Sequence, residues 1–232
     1  VSDLTDTDAA FKKIIADPSK KGEYITMLKK TCAKILSLGR TKIGTPVYMP
    51  NTGDLEIEVL GPFRENINGK DALPVFASNK GKTKNGHSII LKLVYGNLRV
   101  LLGGDLNTES EDYLLTRYGG ADVEAIKKEL KKKTLTDTKR KQLNNELDAA
   151  IMKARKYFEV DVAKSCHHGS ADFTSEFLRC LNPIATVISS GDDEPHCHPR
   201  PDTLGTIGKH SRGERSLIFS TEMARSGKEF ID

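Results

Sequence analysis

After residue 45, the chain consists mainly of short stretches in which apolar and polar side chains alternate, as they do in half-buried strands. Residues 47–60 predict a hairpin that turns at residues 51–54, because positions 55–60 alternate between apolar and charged side chains. A second hairpin is predicted over residues 88–102, with its turn at Gly96 and Asn97. The remaining strands are predicted at residues 160–164, 185–189 and 216–220.

The first 45 residues carry helical spacing instead. It predicts helices near residues 8–15 and 23–38, and Asp17, Pro18 and Ser19 separate the two. We interpret residues 1–45 as a helical connection that leads into the sheet. The apolar face of the second helix is formed by Ile25, Leu28, Cys32, Ile35 and Leu36.

Helices also separate several of the later strands. They are predicted at residues 110–118 and 175–181, and residues 123–158 form a lysine-rich helical segment. That segment is either an antiparallel helical hairpin or a solvated insertion. Residues 64–85 predict a long polar loop, and His210 is expected on a surface loop. Strands alternating with helices predict an α/β fold.

Composition sets limits on the class of protein. The chain has 232 residues, and no apolar run approaches the ~20 residues that span a bilayer. The N-terminus is acidic and polar, so we expect no signal peptide and a cytoplasmic location. The sequence lacks an initiator Met, so we expect a fragment or a processed chain. Four scattered cysteines predict reduced thiols rather than disulfides, and a net charge of +4 permits nucleic-acid binding without demanding it.

Two apolar runs end in side chains that bind metals. The run at residues 101–105 ends in Gly-Gly-Asp105, and the run at residues 161–170 ends in His167, His168, Gly169 and Ser170. Carboxylate oxygen and imidazole nitrogen suit Zn²⁺ or Mn²⁺. The two runs together indicate part of a metallohydrolase.

A family resemblance rests on five short motifs in a fixed order. They are residues 85–88 (Asn-Gly-His-Ser) with the strand that follows, 101–106 (Leu-Leu-Gly-Gly-Asp-Leu), 161–170 (Asp-Val-Ala-Lys-Ser-Cys-His-His-Gly-Ser), Asn182-Pro183 and His198-Pro199. This series resembles the C-terminal half of a metallo-β-lactamase-fold hydrolase of the ComEC-type, DNA-internalisation branch.

The resemblance implies a fold and a metal site. The fold is the C-terminal half of a four-layer αβ/βα sandwich over residues 46–232, with the lysine-rich helices as an insertion at about residues 110–159. The implied metal ligands are Asp105, which bridges two ions, His168, and His87. The cofactor is one or two Zn²⁺ or Mn²⁺ ions.

The resemblance also implies roles in the reaction. Either His167 or His198 donates to a phosphate oxygen or protonates the leaving group. Ser170 orients that oxygen, together with the backbone N–H groups of Gly169 and Ser170 if a helix starts there. Lys82 and Lys84, beside His87 in the sequence, are expected to attract an anionic substrate.

One part of the family's site is missing from the sequence. The H-x-H-x-D-H loop of the N-terminal half is not present. We therefore expect that half to come from the same protein or a partner chain, and we expect metal to be held weakly without it.

The predicted function is a metal-dependent phosphodiesterase or nuclease that acts through a metal-activated water. The alternatives are a phosphoesterase with a small or surface-linked substrate, and a non-catalytic interaction module whose lysine-rich helices contact a partner.

Overall fold

A computed structural model describes residues 55–190 and 198–221. The predicted connection at residues 1–45, the first strand of the 47–60 hairpin and residues 191–197 lie outside these ranges. The strands are β1 (Leu55–Gly61), β2 (Glu65–Ile67), β3 (Lys70–Ala72), β4 (Ile90–Tyr95), β5 (Leu98–Leu102), β6 (Val162–Lys164), β7 (Ala185–Ile188) and β8 (Leu217–Ser220). The helices are α1 (Lys80–Gly86), α2 (Thr108–Gly119), α3 (Val123–Leu130), α4 (Asp137–Phe158), α5 (Ser175–Leu181) and α6 (Pro201–His210), with a 3₁₀ turn at Cys166–Gly169.

Six strands form one mixed sheet in the order β1-β4-β5-β6-β7-β8. β1, β4 and β5 pair antiparallel, and β5, β6, β7 and β8 run parallel to one another. The mixed sheet with its six helices confirms the α/β class for the described part of the chain.

The predicted hairpin of β4 and β5 forms where the sequence indicates it. Tyr95 pairs with Leu98 across the Gly96-Asn97 turn, and Gly96 adopts a φ of +56° that a two-residue hairpin turn requires. The strand predictions at residues 160–164, 185–189 and 216–220 and the helix predictions at 110–118 and 175–181 are also confirmed within two residues at each end.

Two sequence-based expectations are wrong. Residues 64–85 are not a single polar loop, because they contain the β2–β3 hairpin and α1, whose first turn is capped by the side chain of Asn79. His210 is the last residue of α6 rather than part of a surface loop. The proline at the start of α6 suits the first turn of a helix, where its missing N–H costs nothing.

The helices between β5 and β6 form the core with one face of the sheet. α4 buries one side chain every three to four residues, ending at Phe158, and these side chains pack with Leu101, Ala163 and Phe177. The sequence allowed either an antiparallel helical hairpin or a solvated insertion for the lysine-rich segment. In the structure, α3 and α4 form a layer that packs into the core. No helix of the described ranges has both the length and the apolar character needed to cross a lipid bilayer.

The other face of the sheet has a different environment. Alternation along each strand places one set of side chains there. Val59, next to the bulge in β1, is only 3% exposed, whereas the others remain partly or largely exposed in the described part of the chain. We call this set the open face: Leu55, Ile57, Leu91, Leu93, Tyr95, Leu98, Val100, Leu102, Val162, Lys164, Ala185, Val187, Leu217 and Phe219.

Candidate metal centre

The predicted metal-binding residues lie at the carboxyl end of the parallel strands. Asp105 follows β5 by three residues, His167 and His168 follow β6, and Ser189 comes directly after β7. The carboxyl ends of parallel strands share one edge of a sheet, where α/β proteins place their ligands. The topology thus brings together residues that are up to 84 positions apart in the sequence.

Asp105 and His168 form the centre of this edge. The Oδ1 atom of Asp105 lies 3.6 Å from Nε2 of His168, and the two side chains are 44% and 39% exposed. Both groups are therefore accessible to solvent and to a ligand. At 3.6 Å the contact is too long for a hydrogen bond, so neither group is fully satisfied by the other.

A backbone carbonyl orients the imidazole of His168. Nδ1 of His168 lies 2.6 Å from the carbonyl oxygen of Ser189. Because a carbonyl only accepts hydrogen bonds, Nδ1 carries the proton in the neutral ring, and the lone pair is on Nε2. The unprotonated Nε2 thus faces Asp105, while Nδ1 donates to a backbone carbonyl. Metal-binding histidines use their two nitrogens in the same way.

The backbone that carries these histidines is strained. His167 and His168 have φ values of +46° and +55°, and Gly169 follows at +79°. Left-handed backbone costs on the order of 1–3 kcal/mol at a residue other than glycine. Two such residues in succession, at a strand end, are the kind of outlier that indicates a functional constraint.

Close packing of two loops holds this turn in place. The N–H of His167 donates to the carbonyl of Gly104 at 3.0 Å. A Cβ at Gly103 would lie 2.5 Å from Sγ of Cys166, so a side chain at Gly103 would force the loops apart. Burial raises the pKa of the Cys166 thiol, which keeps it protonated and unreactive at neutral pH.

The segment that begins at His198 closes the other side of the turn. The N–H of Arg200 donates to the carbonyl of Gly169 at 2.9 Å, and the hydroxyl of Thr203 donates to the carbonyl of Ser170 at 2.7 Å. The rings of His198 and His167 meet edge to face with their centroids 5.9 Å apart. The structure thus brings the two predicted proton donors, His167 and His198, into contact with each other at the turn that carries His168.

His167 has one further polar neighbour. Its Nε2 lies 3.5 Å from Nδ2 of Asn85, while its Nδ1 is buried without a hydrogen-bond partner among the described residues. Asn85 belongs to the first of the five motifs, and Ser88 of the same motif accepts the N–H of Asp105 on its hydroxyl at 2.9 Å. The start of β4 therefore supports the site from a fourth strand.

His87, the third predicted ligand, is in a different environment. Its Nε2 lies 2.7 Å from the carbonyl of Pro74 and its ring packs against Phe76, so neither of these contacts goes to Asp105 or His168. Burial lowers the pKa of His87, which favours the neutral ring. Its Nδ1 is buried without a hydrogen-bond partner in the described part of the chain, so its role as a ligand stays a prediction.

Two of the predicted substrate-binding residues make structural contacts. Lys82 pairs with Glu109 at 2.6 Å and with Asp172 at 3.5 Å. Ser170 donates its N–H to the carbonyl of His167 at 2.8 Å, and its hydroxyl accepts the N–H of Asp172 at 3.1 Å. These contacts connect α1 and α2 to the loop after the histidines. No α-helix starts at Ser170, and Lys84 lies in the last turn of α1.

A buried carboxyl group on α2 binds the loop that follows the histidines. Glu111 on α2 is 1% exposed, and it accepts the N–H of Thr174 at 2.6 Å. Burial raises the pKa of Glu111 to about 8, although the hydrogen bonds from Thr174 oppose the shift. No local sequence pattern indicates this residue or Ser189, because their partners are 63 and 21 positions away.

The described residues alone do not complete a metal site. Within residues 55–190 and 198–221, no group of three or more His, Cys, Asp or Glu side chains is arranged to hold an ion. Compared with protein-family models and with curated proteins, the chain gives no match in either. The family resemblance therefore stays a prediction from the sequence motifs.

Proposed function

We propose that this chain carries part of the active site of a metal-dependent hydrolase, with Asp105 and His168 as two of the metal ligands. The supporting observation is the 3.6 Å between their facing atoms. Two ligands of one tetrahedral Zn²⁺, each about 2.1 Å from the ion, lie roughly 3.4 Å apart. The spacing therefore fits two ligands of one ion better than it fits a hydrogen bond.

The orientation of His168 gives independent support. A ligand imidazole needs an unprotonated nitrogen toward the ion and a donor bond from its other nitrogen. The contact of Nδ1 with the carbonyl of Ser189 supplies the second condition, and the lone pair on Nε2 supplies the first. A surface ion pair would need neither the fixed tautomer nor the strained turn that presents it.

The donor set also indicates which ions fit. One carboxylate oxygen and one imidazole nitrogen suit Zn²⁺ or Mn²⁺ better than Ca²⁺ or Mg²⁺, which take mainly oxygen. A catalytic zinc has three protein ligands, so we propose that the remaining ligands come from outside the described residues. The predicted N-terminal half, in the same protein or a partner chain, is the proposed source.

The substrate class proposed is a phosphodiester, with DNA or another nucleic acid as the first candidate. A bound ion of this kind lowers the pKa of its water toward neutrality and so supplies a nucleophile for hydrolysis. Asp105 and His168 hold the ion at the sheet edge. His167 and His198, whose rings are in contact, donate a hydrogen bond or a proton to an oxygen of the phosphate.

The finer architecture we propose is one half of a four-layer αβ/βα metallo-β-lactamase sandwich. Helices cover one face of the sheet, whereas the open face is mainly apolar, and its side chains are partly or largely exposed in the described part of the chain. Parallel strands are found almost only in sheets that are covered on both faces. A second layer over the open face satisfies that requirement and brings its own strand ends to the edge that carries Asp105 and His168.

The alternative of an interaction module has weaker support. In the lysine-rich helices, Lys127 pairs with Asp112 at 2.8 Å and Lys132 pairs with Glu129 at 2.6 Å. These carboxylates neutralise part of the charge that a phosphate backbone would need.

Calorimetric titration with Zn²⁺ tests the proposal. We expect the wild-type chain to bind one ion weakly, and we expect Asp105→Asn and His168→Gln each to reduce the affinity by roughly 10–100-fold. The matched controls are Asp202→Asn and His210→Gln, which change the same residue types on α6 and should leave the affinity unchanged. Equal loss in the controls, or no loss in Asp105→Asn and His168→Gln, would overturn the assignment.

A further inference from the structure

The open face of the sheet is too apolar to remain in contact with water. Every member except Lys164 is apolar, and Tyr95 and Phe219 are 61% and 55% exposed. Five strand spacings of about 4.8 Å make the face roughly 24 Å wide. Folded chains seldom leave a continuous apolar patch of this extent exposed, so something covers it.

The chain itself supplies a segment of the right kind. Fifty-four residues precede Leu55, and Leu55 begins β1 at one edge of the sheet, where it belongs to the open face. Within this segment, residues 23–38 have the spacing of an amphipathic helix. The apolar stripe is Ile25, Leu28, Cys32, Ile35 and Leu36, while Lys30 and Lys34 fall on the opposite side.

The dimensions of segment and face agree. A helix over residues 23–38 would be about 24 Å long, which matches the width of the six strands. Residues 39–54 link it to β1, and a stretch of that length reaches up to ~50 Å when extended. The linker is therefore long enough for the helix to lie across the sheet.

We propose that residues 23–38 of this chain lie as an amphipathic helix across the open face of the sheet. The apolar stripe packs on the open-face side chains of the strands that it crosses, and Lys30 and Lys34 face solvent. This docking does not depend on the metal site. It also means that a second sandwich layer, as proposed above, has to displace residues 23–38 from the same face.

A native thiol reports the docking directly. Cys32 lies on the apolar stripe, so its reaction with N-ethylmaleimide, followed by peptide mass spectrometry on the full chain, measures whether the stripe is covered. We expect Cys32 to react at least about tenfold more slowly in the native chain than in concentrated urea, because reaction requires local opening.

Variants on the two sides of the contact test the partners. Val187→Asp with Phe219→Asp places charges on two side chains that pair across β7 and β8 on the open face, and should raise the rate at Cys32 about tenfold. Met152→Asp is the matched control, because Met152 is also an exposed apolar residue but lies on α4. It should leave the rate unchanged.

A second variant leaves the sheet intact. Leu28→Asp with Ile35→Asp changes only the stripe, and should increase the binding of an apolar dye to the full chain without changing the α/β circular dichroism. The proposal is overturned if Cys32 of the native chain reacts as fast as in urea. It is also overturned if the chain sediments as a dimer that Val187→Asp with Phe219→Asp dissociates, since a second copy would then cover the face.

Discussion

The two ends of the parallel strands carry carboxylates in opposite circumstances. At the amino end of β6, Asp161 accepts the backbone N–H of Arg99 at 2.8 Å and its guanidinium at 3.2 and 3.1 Å, and Arg212 donates to it as well. At the carboxyl end, the charged partner of Asp105 among the described residues is the imidazole of His168, 3.6 Å away. Asp161 is therefore satisfied within the fold, while Asp105 has lone pairs left for a ligand.

The backbone shows the same contrast. Asp161 continues directly into β6, whereas the other end of β6 runs into two consecutive left-handed histidines. A fold tolerates strain where function requires it and tends to remove it elsewhere. The comparison indicates that one end of the sheet contributes stability and the other contributes the site.

The largest expected effect is on stability at the amino end. We expect Asp161→Asn to lower the free energy of unfolding by about 2–4 kcal/mol, because it leaves Arg99 without its carboxylate and leaves Arg212 paired with Glu159 alone. Asp105→Asn should change it by less than about 0.5 kcal/mol. Urea denaturation at pH 7 measures both, and a cost for Asp105→Asn as large as that for Asp161→Asn would break the comparison.

The contribution of Asp161 to the free energy of unfolding depends on pH. The hydrogen bonds from Arg99 are the main cause that lowers the pKa of Asp161 below its ordinary value. Its contribution is therefore fully present above the pKa of the unfolded chain and is lost as the pH falls through the lower folded value. The stability difference between wild type and Asp161→Asn should shrink in that acid range.

The free energy of unfolding changes with pH in the opposite direction because of Glu111. Its pKa rises from an ordinary 4.5 to about 8, mainly through burial, so the folded chain holds a proton that the unfolded chain has released. Stability should fall by on the order of 1 kcal/mol per pH unit between those two values. Glu111→Gln, which keeps an acceptor for Thr174, should be more stable than wild type at pH 7 by about 2–3 kcal/mol.

Denaturation of Glu111→Gln from pH 5 to pH 8 measures this effect. Glu146→Gln is the matched control, because Glu146 is exposed on α4, and it should keep the wild-type pH profile. An unchanged profile in Glu111→Gln would mean that Glu111 is ionised in the fold, and the carboxyl end would then hold more charge than proposed.

The smallest expected difference in stability reports the backbone strain at His167. Because His167 has a φ of +46°, His167→Gly should be more stable than His167→Ala by about 1 kcal/mol. At Met152, an exposed position inside α4, the order should reverse by a similar amount. Chemical denaturation of the four variants gives both differences, and the same order at both positions would remove the argument from strain.

Local patterns predicted most of the sheet and failed where the signals conflict. The β4–β5 hairpin and α5 follow from a two-residue turn and from regular apolar spacing, which depend only on neighbours in the sequence. α1 was missed because its seven residues, Lys-Gly-Lys-Thr-Lys-Asn-Gly, resemble a loop. That helix depends on the Asn79 cap and on the burial of Thr83 and Gly86, which only the folded chain provides.

The candidate site was predictable to a similar degree. Two strand ends with Gly-Gly-Asp and His-His-Gly indicated Asp105 and His168, and the structure places them in contact. Ser189, which orients His168, and Glu111, which holds the following loop at Thr174, were not predictable, since both act through contacts between distant segments. Asp161 belongs to the same motif as His168, yet it lies at the other end of β6, where its role is structural.

Anomalous diffraction at the zinc absorption edge, from crystals of this chain grown with Zn²⁺, is the sharpest test of whether Asp105 and His168 bind one ion. We expect an anomalous peak within bonding distance of both the carboxylate of Asp105 and Nε2 of His168, at the carboxyl end of β5 and β6. A zinc peak bonded to other side chains, or no peak at this edge in crystals that contain zinc, would contradict it.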